Sequence, residues 1–453
     1  MPDSPASIQY RSYVISWNLT RKCNLECDHC YISASPFETR ENELNTEECF
    51  RVIDQIREVS PGAVLILTGG EPLLRRDIYD IAKCASDRGF LVVMGTNGTL
   101  VTEGVIEKLK AAGVQGVGIS IDSLDPEKHN LFRGIPNAWQ SSVRAMALLR
   151  NADLPFLIQT TVVSQNIHEI PGIIDFACDQ GAKVFNLYFL VPTGRGKFIT
   201  HQSPGYSYFS NISPEQYEGL LKELLALQPK YRGRMLINAK CAPHFQRVLW
   251  ENDPESPYLK GFQGAGGCPA GTHYSGITPE GDVTPCPYLP VYGGNVREQS
   301  FADIWNASDV FVKIRDRNRL GGKCGPCEFS AMCSGCRARA YGQTGDYLAE
   351  DAGCGYTPGA HGGQRVILTG ATTYGLDSKG TLRWSPEAAR RMEAVPAFVR
   401  GMVTQKIEEY ARENQIAEIT PEFLDQARER MMPGGRVIGI PVFAKKESKV
   451  GDQ

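Results

Sequence analysis

Three cysteines near the start of the chain have a spacing that suits an iron–sulfur cluster. They are Cys23, Cys27 and Cys30, in the segment Cys23-Asn24-Leu25-Glu26-Cys27-Asp28-His29-Cys30. In a loop, the three thiolates can turn towards one point and hold three irons of a cubane, which leaves the fourth iron without a protein ligand. A closed structural site would need a fourth ligand, so the spacing predicts a cluster that binds a further molecule. The alternative is three buried or zinc-binding cysteines.

The other cysteines form a second dense field and a scattered set. Of the 14 cysteines, seven lie between Cys268 and Cys354, and four are scattered, namely Cys49, Cys84, Cys178 and Cys241. The first three of the scattered set sit in helix-like segments with apolar neighbours, where a free cysteine is usually a small core hydrophobe. The run Cys324-x2-Cys327-x5-Cys333-x2-Cys336 is too dense for core packing. The seven cysteines between Cys268 and Cys354 are together one thiol short of the number that fully ligates two cubanes. A pair of zinc sites is the structural alternative.

The bulk composition is that of a globular protein without a strong charge bias. The 453 residues are 42% apolar and 22% charged, and the net charge is −3, which gives no argument for nucleic acid or an anionic membrane. The first residues lack the basic and apolar regions of a signal peptide, and no apolar run has the length of a membrane span. Many cysteines with no sign of secretion indicate metal binding in a reducing compartment, so we expect a cytoplasmic protein.

The first half of the chain reads as repeated strand–helix units. Apolar, β-branched runs recur at 13–19, 64–68, 91–95, 116–121, 156–163 and 184–190, and helical periodicity lies between them at 46–59, 76–89, 102–112, 138–150 and 167–180. This alternation predicts an α/β fold with a parallel sheet and right-handed crossovers. Six units predict a partial (β/α)6 barrel that remains open, with its chemistry at the carboxyl ends of the strands.

Polar and glycine-rich segments follow these strands at the same predicted edge. The second strand runs into Thr68-Gly69-Gly70-Glu71-Pro72 and the third into Thr96-Asn97-Gly98-Thr99, whereas the fourth ends at Ser120-Ile121-Asp122 and the sixth at Pro192-Thr193-Gly194-Arg195-Gly196. Adjacent glycines allow close approach of backbone to a ligand, and Glu71 adds a carboxylate for an ammonium group. Taken alone, Gly-Gly-Glu-Pro could be only a tight turn. Together with the cysteine loop, the segments predict one cleft.

Residues about 10–200 resemble a radical S-adenosylmethionine enzyme, whose motif has the spacing of Cys23, Cys27 and Cys30 with an aromatic residue, here His29, before the last cysteine. The resemblance implies a [4Fe–4S] cluster whose open iron is chelated by the methionine moiety of S-adenosylmethionine. It further implies that Gly69, Gly70 and Glu71 contact the methionine amino group of the cofactor. Ser120 and Asp122 would lie at the ribose, and Arg195 would meet the methionine carboxylate. Reductive cleavage of the sulfonium would yield a 5'-deoxyadenosyl radical, which needs a dry and closely shaped cleft.

The second cysteine field resembles the SPASM extension, which carries two auxiliary [4Fe–4S] clusters. The family pattern implies a first set of Cys268, Cys286 and Cys336 and a second set of Cys324, Cys327, Cys333 and Cys354. The chain departs from the pattern twice, in the spacing of the last pair and in the missing fourth thiol of the first set. Cys241 and His273 are candidates for that ligand, and an open site for substrate is the third possibility. An auxiliary cluster could accept an electron from a substrate radical or simply hold the extension folded.

The carboxyl-terminal part reads as a linker followed by a small helical unit. Residues 355–383 are glycine-rich, and Ser385-Pro386 and Thr420-Pro421 are good helix starts. The segment 384–431 is similar to the small domain of the dark-operative protochlorophyllide reductase B subunit. We therefore expect the domains to be 1–212, a connecting helix with the cluster extension at 213–354, the linker, the helical domain at 384–431 and a tail at 432–453.

The two resemblances indicate a tetrapyrrole substrate by independent routes, since one branch of SPASM-containing enzymes trims tetrapyrrole side chains in heme biosynthesis. The main hypothesis is an oxidoreductase or lyase that removes or decarboxylates side chains of an iron tetrapyrrole, with electrons from a ferredoxin or flavodoxin. Arg195 and Lys197 are candidates for holding the propionates. A peptide-modifying SPASM maturase is the first alternative, although only about twelve residues precede the first strand, where such enzymes usually carry a peptide-binding domain. A non-catalytic iron–sulfur or tetrapyrrole-delivery protein is the second.

Overall fold

The structure is a computed structural model that describes residues 10–200, 205–254, 259, 267–366, 382–393 and 397–431. Its first part alternates strands and helices in the order β1 Val14–Asn18, α1 Thr46–Val59, β2 Val64–Thr68, α2 Ile78–Asp87, β3 Leu91–Gly95, α3 Glu103–Ala111, β4 Val114–Ser120, α4 Pro126–Arg133, α5 Ala138–Asn151, β5 Phe156–Val162, α6 Ile170–Asp179 and β6 Val184–Phe189. The predicted α/β fold and its six strands are confirmed, with strand boundaries that differ by at most two residues.

One continuous sheet connects this barrel to the cysteine-rich extension. Strands β1 to β6 pair in sequence order and in parallel, and β7 Leu236–Lys240 adds to β6 in the same direction. On the other side, β8 Tyr274–Ile277 pairs in parallel with β1, and β9 Asp282–Thr284 and β10 Gly294–Asn295 follow it as antiparallel strands. The extension is therefore part of the barrel's own sheet. The sequence analysis did not predict β7 or β8. These short segments become strands because they pair with the edge strands β6 and β1 of the barrel.

The two faces of the sheet have different environments. Side chains that point towards the helices are fully buried, for example Trp17, Leu65 and Phe185. Residues at alternate positions, such as Ser120, Gln159 and Tyr188, are only half-buried. The inner face of the curved sheet therefore borders a cleft, as the partial-barrel prediction requires.

Helix α4 was missed in the sequence analysis, although its start carries clear signals. Asp125 is the N-cap, and its carboxylate accepts the backbone N–H of Glu127 at 2.9 Å. Pro126 occupies the first helical position, where its missing N–H is not needed. The omission matters for function because this helix ends at Arg133, which reaches the cysteine loop.

The chain between β6 and residue 366 contains the helices that support the second cysteine field. They are α7 Gly196–Thr200, α8 Pro214–Tyr231, α9 Phe245–Asn252, α10 Phe301–Ala307, α11 Asp309–Arg315 and α12 Arg337–Thr344. Part of the predicted linker is ordered against this field, because the carboxylate of Glu328 accepts the backbone N–H groups of Gly359 and His361 and the hydroxyl of Tyr356. Among the helices that the structure describes, none combines the length and the apolar character needed to cross a bilayer.

The carboxyl-terminal unit has its own small core. It comprises the parallel pair β11 Arg383–Trp384 and β12 Glu418–Ile419 with α13 Pro386–Glu393, α14 Ala397–Glu413 and α15 Pro421–Met431. Ile407, Ile419 and Leu424 are buried together in it. Both predicted helix starts have the expected caps, since the hydroxyls of Ser385 and Thr420 accept N–H groups of the first turns. The predicted tail at 432–453 lies outside the described residues.

Candidate active site and cysteine clusters

The cysteine loop follows β1 and is held in place by the Gly-Gly-Glu segment after β2. The backbone N–H of Gly70 donates to the carbonyl of Thr20 at 2.6 Å, and that of Glu71 donates to the carbonyl of Lys22 at 2.9 Å. A Cβ on Gly70 would lie 2.3 Å from the Lys22 oxygen, so only glycine allows this contact. The glycines were predicted to approach a ligand; in this structure they approach the chain that leads into Cys23.

The three thiols of the loop have surroundings that suit a cluster. Cys23, Cys27 and Cys30 pack in one group, and the sulfurs of Cys23 and Cys30 accept backbone N–H groups at 3.4 and 3.3 Å. Burial raises the pKa of the Cys23 thiol to about 12 and that of Cys27 to about 11. Without a metal these thiols would stay protonated, whereas the N–H donors stabilise the thiolates that iron requires. The residues therefore fit a cluster.

Arg133 is a site residue that the sequence analysis did not identify. Its Nη1 lies 4.0 Å from the sulfur of Cys27, and its Nε donates to the carboxylate of Asp122 at 2.7 Å. Asp122 is only 1% exposed and also accepts the backbone N–H of Thr161 at 2.8 Å. Asp122 was predicted to accept ribose hydroxyls, but in this structure its carboxylate is occupied by Arg133. Ser120, the other predicted ribose contact, is half-buried on the inner face of β4.

Glu71 is fully buried and connects two strand-end segments. Its carboxylate accepts the Thr96 hydroxyl at 2.8 Å and the backbone N–H groups of Asn97 and Leu73 at 2.8 and 3.1 Å. Burial nevertheless raises its pKa to about 7, because the three hydrogen bonds only partly offset desolvation. These interactions join the segments after β2 and β3.

His29 and Arg195 both present a buried nitrogen without a hydrogen-bond partner among the described residues, at Nδ1 and Nη2 respectively. The His29 ring stacks on Phe132 at 4.2 Å, and burial lowers the pKa of His29 to about 3, so it is neutral. Arg195 donates from Nε to the carbonyl of Cys27 at 2.8 Å, and its backbone N–H donates to the carbonyl of Cys30 at 2.9 Å. The remaining donor of Arg195 is available for an anion. Lys197, in contrast, is exposed and lies over the ring of Phe198.

The four cysteines of the second auxiliary set line one small cavity. Cys324, Cys327, Cys333 and Cys354 contribute to its wall, and Arg247 and Lys323 lie beside them. Arg337 adds a donor, since its Nη2 lies 3.7 Å from the Cys324 sulfur. A largely apolar cavity with four thiols and neighbouring cations fits a cubane with four thiolate ligands.

A fourth cysteine lies beside the three that the family pattern implies for the first auxiliary cluster. Cys268, Cys286 and Cys336 are buried in one group, and Cys241 packs against them. The thiol of Cys336 is within hydrogen-bonding reach of both Cys241 and Cys268. Cys241 has a left-handed backbone with φ of 56°, which is unusual for a non-glycine residue and is stabilised by donors to its carbonyl from Arg339 and Tyr217. His273 instead stacks on Tyr13.

A single-ion site does not match the positions of these thiols. Within the described part of the chain, no three His, Cys, Asp or Glu side chains converge as they would around one metal ion. The zinc alternative requires four ligands at about 2.3 Å from one centre. In a cubane, each thiolate binds a different iron, so the thiols surround a larger volume.

The fold and these sites define a class of enzyme. Residues 17–177 match the Radical SAM superfamily, residues 268–336 match the SPASM iron–sulfur cluster-binding domain, and residues 384–428 match the Proto-chlorophyllide reductase 57 kD subunit. The chain belongs to the Radical SAM superfamily and carries a SPASM domain. It is therefore an enzyme, and the predicted non-catalytic alternative is set aside.

Individual relatives show which members of the superfamily this chain is similar to. The chain is 42% identical over 352 residues to the AdoMet-dependent heme synthase of Methanosarcina barkeri, a match that covers 76% of this chain and 97% of that protein. It is 30% identical over 398 residues to the pre-heme d1 synthase of Dinoroseobacter shibae, covering 85% and 94%. Among solved structures, Streptococcus suis SuiB bound to S-adenosylmethionine matches with a TM-score of 0.61 at 17% identity, covering 77% of this chain and 78% of that one, which shows a shared fold.

Proposed function

We propose that this enzyme decarboxylates propionate side chains of an iron tetrapyrrole in heme synthesis. The observation that carries the proposal is the 42% identity to a heme synthase over 97% of its length. Residues on the inner face of the barrel, such as Ser120 and Tyr188, are only half-buried, which leaves them accessible to a substrate. The match of residues 384–428 to a protochlorophyllide reductase subunit supports the same substrate class.

The reaction begins with hydrogen abstraction from the propionate carbon next to the ring. When bound, the cluster and S-adenosylmethionine supply a 5'-deoxyadenosyl radical for this step. Loss of carbon dioxide then leaves a vinyl group and releases one electron, so each side chain loses one hydrogen atom, one carbon dioxide and one electron. The electron requires an acceptor, and the two auxiliary cysteine sets are the positions that this chain offers for one.

Three [4Fe–4S] clusters are proposed, each with its own ligands. Cys23, Cys27 and Cys30 hold the first, which binds S-adenosylmethionine. The methionine carboxylate lies at Arg195, whose unpartnered Nη2 supports this assignment. Gly69 and Gly70 flank the methionine amino group, while Glu71 positions this segment, and Ser120 contacts the ribose.

Each auxiliary cluster is proposed to have four thiolate ligands. Cys324, Cys327, Cys333 and Cys354 hold one, as their common cavity supports. Cys241 joins Cys268, Cys286 and Cys336 around the other, because its thiol is next to that of Cys336 and His273 is engaged elsewhere. This assignment leaves no open iron for substrate on that cluster.

The physiological setting follows from the chemistry. Reduction of the first cluster requires a low-potential donor such as a ferredoxin or flavodoxin. Fourteen unpaired cysteines suit the reducing cytoplasm. The domain boundaries predicted from the sequence remain part of the proposal, with residues 274–295 as the strands that join the extension to the barrel.

Anaerobic incubation of the reconstituted enzyme with iron-coproporphyrin III, S-adenosylmethionine and a reductant tests the function. We expect one 5'-deoxyadenosine and one carbon dioxide for each propionate converted to vinyl, detected by mass spectrometry of the porphyrin. Sirohaem derivatives and candidate peptides serve as competing substrates. Peptide-dependent 5'-deoxyadenosine formation without any change to the porphyrin would overturn the proposal in favour of a peptide maturase.

A further inference from the structure

Three tyrosines form an aromatic wall across the mouth of the barrel. Tyr31 follows the cysteine loop, and its ring lies 4.5 Å from that of Tyr288, which lies 6.0 Å from the ring of Tyr188. Tyr188 belongs to β6, which four strands separate from β1 in the sheet. The wall therefore spans the opening where the two sides of the curved sheet approach each other. All three rings are half-buried and so retain surface in the cleft.

Lys240 lies at the end of this wall. It is the last residue of β7 and pairs with Tyr188 across the parallel register. The next pair on the same face, Asn186 and Asn238, is joined by a side-chain hydrogen bond of 3.0 Å. Since alternate residues share a face, Lys240 faces the same side as Tyr188. The residue is half-buried, and burial of its ammonium group lowers its pKa.

The charge of Lys240 is not matched by a carboxylate within the described residues. Several other cations around the cleft and the extension have short ion pairs, as in Arg133–Asp122, Arg339–Asp351 and Arg247–Glu218. No such pair includes Lys240. A cation held below the surface without a partner is costly unless a ligand supplies the missing negative charge.

We propose that Lys240 binds a side-chain carboxylate of the tetrapyrrole while the ring system lies against Tyr31, Tyr288 and Tyr188. This inference rests on the proposed function and specifies how the substrate is held. A flat aromatic macrocycle can stack on the tyrosine rings, and its propionates reach beyond the ring edge to the ammonium group. The wall begins beside Cys30 and ends beside Cys241, so the substrate lies between the first cluster and the first auxiliary set.

Because Lys240 is next to Cys241 in the chain, it has a second possible role at the auxiliary cluster. The test must distinguish this role from carboxylate binding. The ammonium group could instead stabilise the thiolates of the auxiliary cluster. A carboxylate-binding role predicts an effect only on substrates with free carboxylates. A cluster-stabilising role predicts a changed electron resonance spectrum whatever the substrate.

The test compares Lys240→Met, Lys240→Arg and the control Lys83→Met, at an exposed position of helix α2, in the reconstituted enzyme. Anaerobic Soret titrations measure the Kd of iron-coproporphyrin III and of its tetramethyl ester, which has no free carboxylate. We expect Lys240→Met to weaken binding of the acid by roughly 10- to 100-fold and to leave the ester unchanged. Lys240→Arg keeps most of the affinity, and Lys83→Met behaves as the wild type. All variants retain the cluster spectrum and substrate-independent cleavage of S-adenosylmethionine.

Two results would overturn the inference while leaving the proposed function intact. One is equal affinity of wild type and Lys240→Met for the acid, and the other is an equal loss for acid and ester. A changed auxiliary-cluster spectrum with unchanged binding would assign Lys240 to the cluster instead. If the wild-type enzyme binds neither porphyrin, the proposed function itself fails, and this inference fails with it.

Discussion

Arg339 and Asp351 form a buried ion pair that connects the two auxiliary cysteine sets. Nε of Arg339 donates to Asp351 at 2.8 Å, and the two side chains are 3% and 0% exposed. The other carboxylate oxygen of Asp351 accepts the backbone N–H of Cys336 at 2.7 Å. The backbone carbonyl of Asp351 accepts the backbone N–H of Cys354 at 3.1 Å. Arg339 also donates to the carbonyl of Cys241 at 2.6 Å. One ion pair thus orients a cysteine of each proposed cluster.

The first prediction concerns Asp351. The pKa of this carboxyl is held well below its usual range by Arg339 and by its hydrogen bonds, despite burial. Replacing it by asparagine leaves Arg339 as an uncompensated buried charge, which costs roughly 3–5 kcal/mol. We expect Asp351→Asn to lose this much in anaerobic denaturant unfolding and to hold fewer irons per chain. Asp87→Asn, in the exposed pair with Lys83, is the control and should change stability by less than about 0.5 kcal/mol.

The second prediction concerns the Arg133–Asp122 pair beside Cys27. Arg133→Met leaves the Asp122 carboxylate buried and unpaired, with a loss of roughly 3–5 kcal/mol. The double variant Arg133→Met/Asp122→Asn removes both charges and should recover a large part of that stability. Iron content and denaturant unfolding measure both effects. Additive losses in the double variant would show that the two residues act independently.

The third prediction is a pH dependence that arises from Glu71. Its pKa of about 7 in the folded protein lies above the ordinary 4.5, so the folded state binds the proton more tightly than the unfolded state. This contribution to stability is complete below pH 4.5 and is lost as the pH rises through 7. We expect the stability of the wild type relative to Glu71→Gln to fall by about 1 kcal/mol between pH 6 and pH 8. Taking this difference cancels the titration of buried histidines such as His29, whose lowered pKa acts in the opposite direction. The exposed control Glu26→Gln should show no such pH-dependent difference from the wild type.

The fourth prediction tests Cys241 as a cluster ligand. Cys241→Ala should change the electron resonance spectrum of one auxiliary cluster and lower the iron content, because the fourth iron loses its thiolate. Cys178→Ala removes a cysteine from the helical core of the barrel and should leave three clusters intact. An unchanged spectrum in Cys241→Ala would show that the first auxiliary cluster has another fourth ligand.

The fifth prediction concerns the contact between Gly70 and the cysteine loop. A Cβ at this position would be 2.3 Å from the Lys22 oxygen, so Gly70→Ala must displace the chain that leads to Cys23. We expect the first cluster to be lost and cleavage of S-adenosylmethionine to be abolished. Gly104→Ala is the matched control, since Gly104 lies in helix α3 with open space around it, and it should stabilise the protein by about 0.4–1 kcal/mol.

The sequence by itself determined the local features of this protein. The spacing of Cys23, Cys27 and Cys30 predicted the cluster loop, because three ligands so close in the chain must share one loop. The alternation of apolar runs and helical periodicity predicted the partial barrel, because each strand and each helix leaves its own pattern in a short stretch of sequence. The sequence also predicted the helix starts at Pro386 and Pro421, because an N-cap depends only on residues that are neighbours in the chain.

Only the tertiary structure decided which distant residues act together. It brought Cys241 to Cys336, Arg339 to Asp351 and Arg133 to Asp122. It also assigned the Gly-Gly-Glu segment to supporting the cysteine loop and placed Lys240 beside the tyrosine wall. These contacts depend on the curvature of the sheet and on the β8 strand that joins the extension to β1, and neither property is encoded within a short stretch of chain.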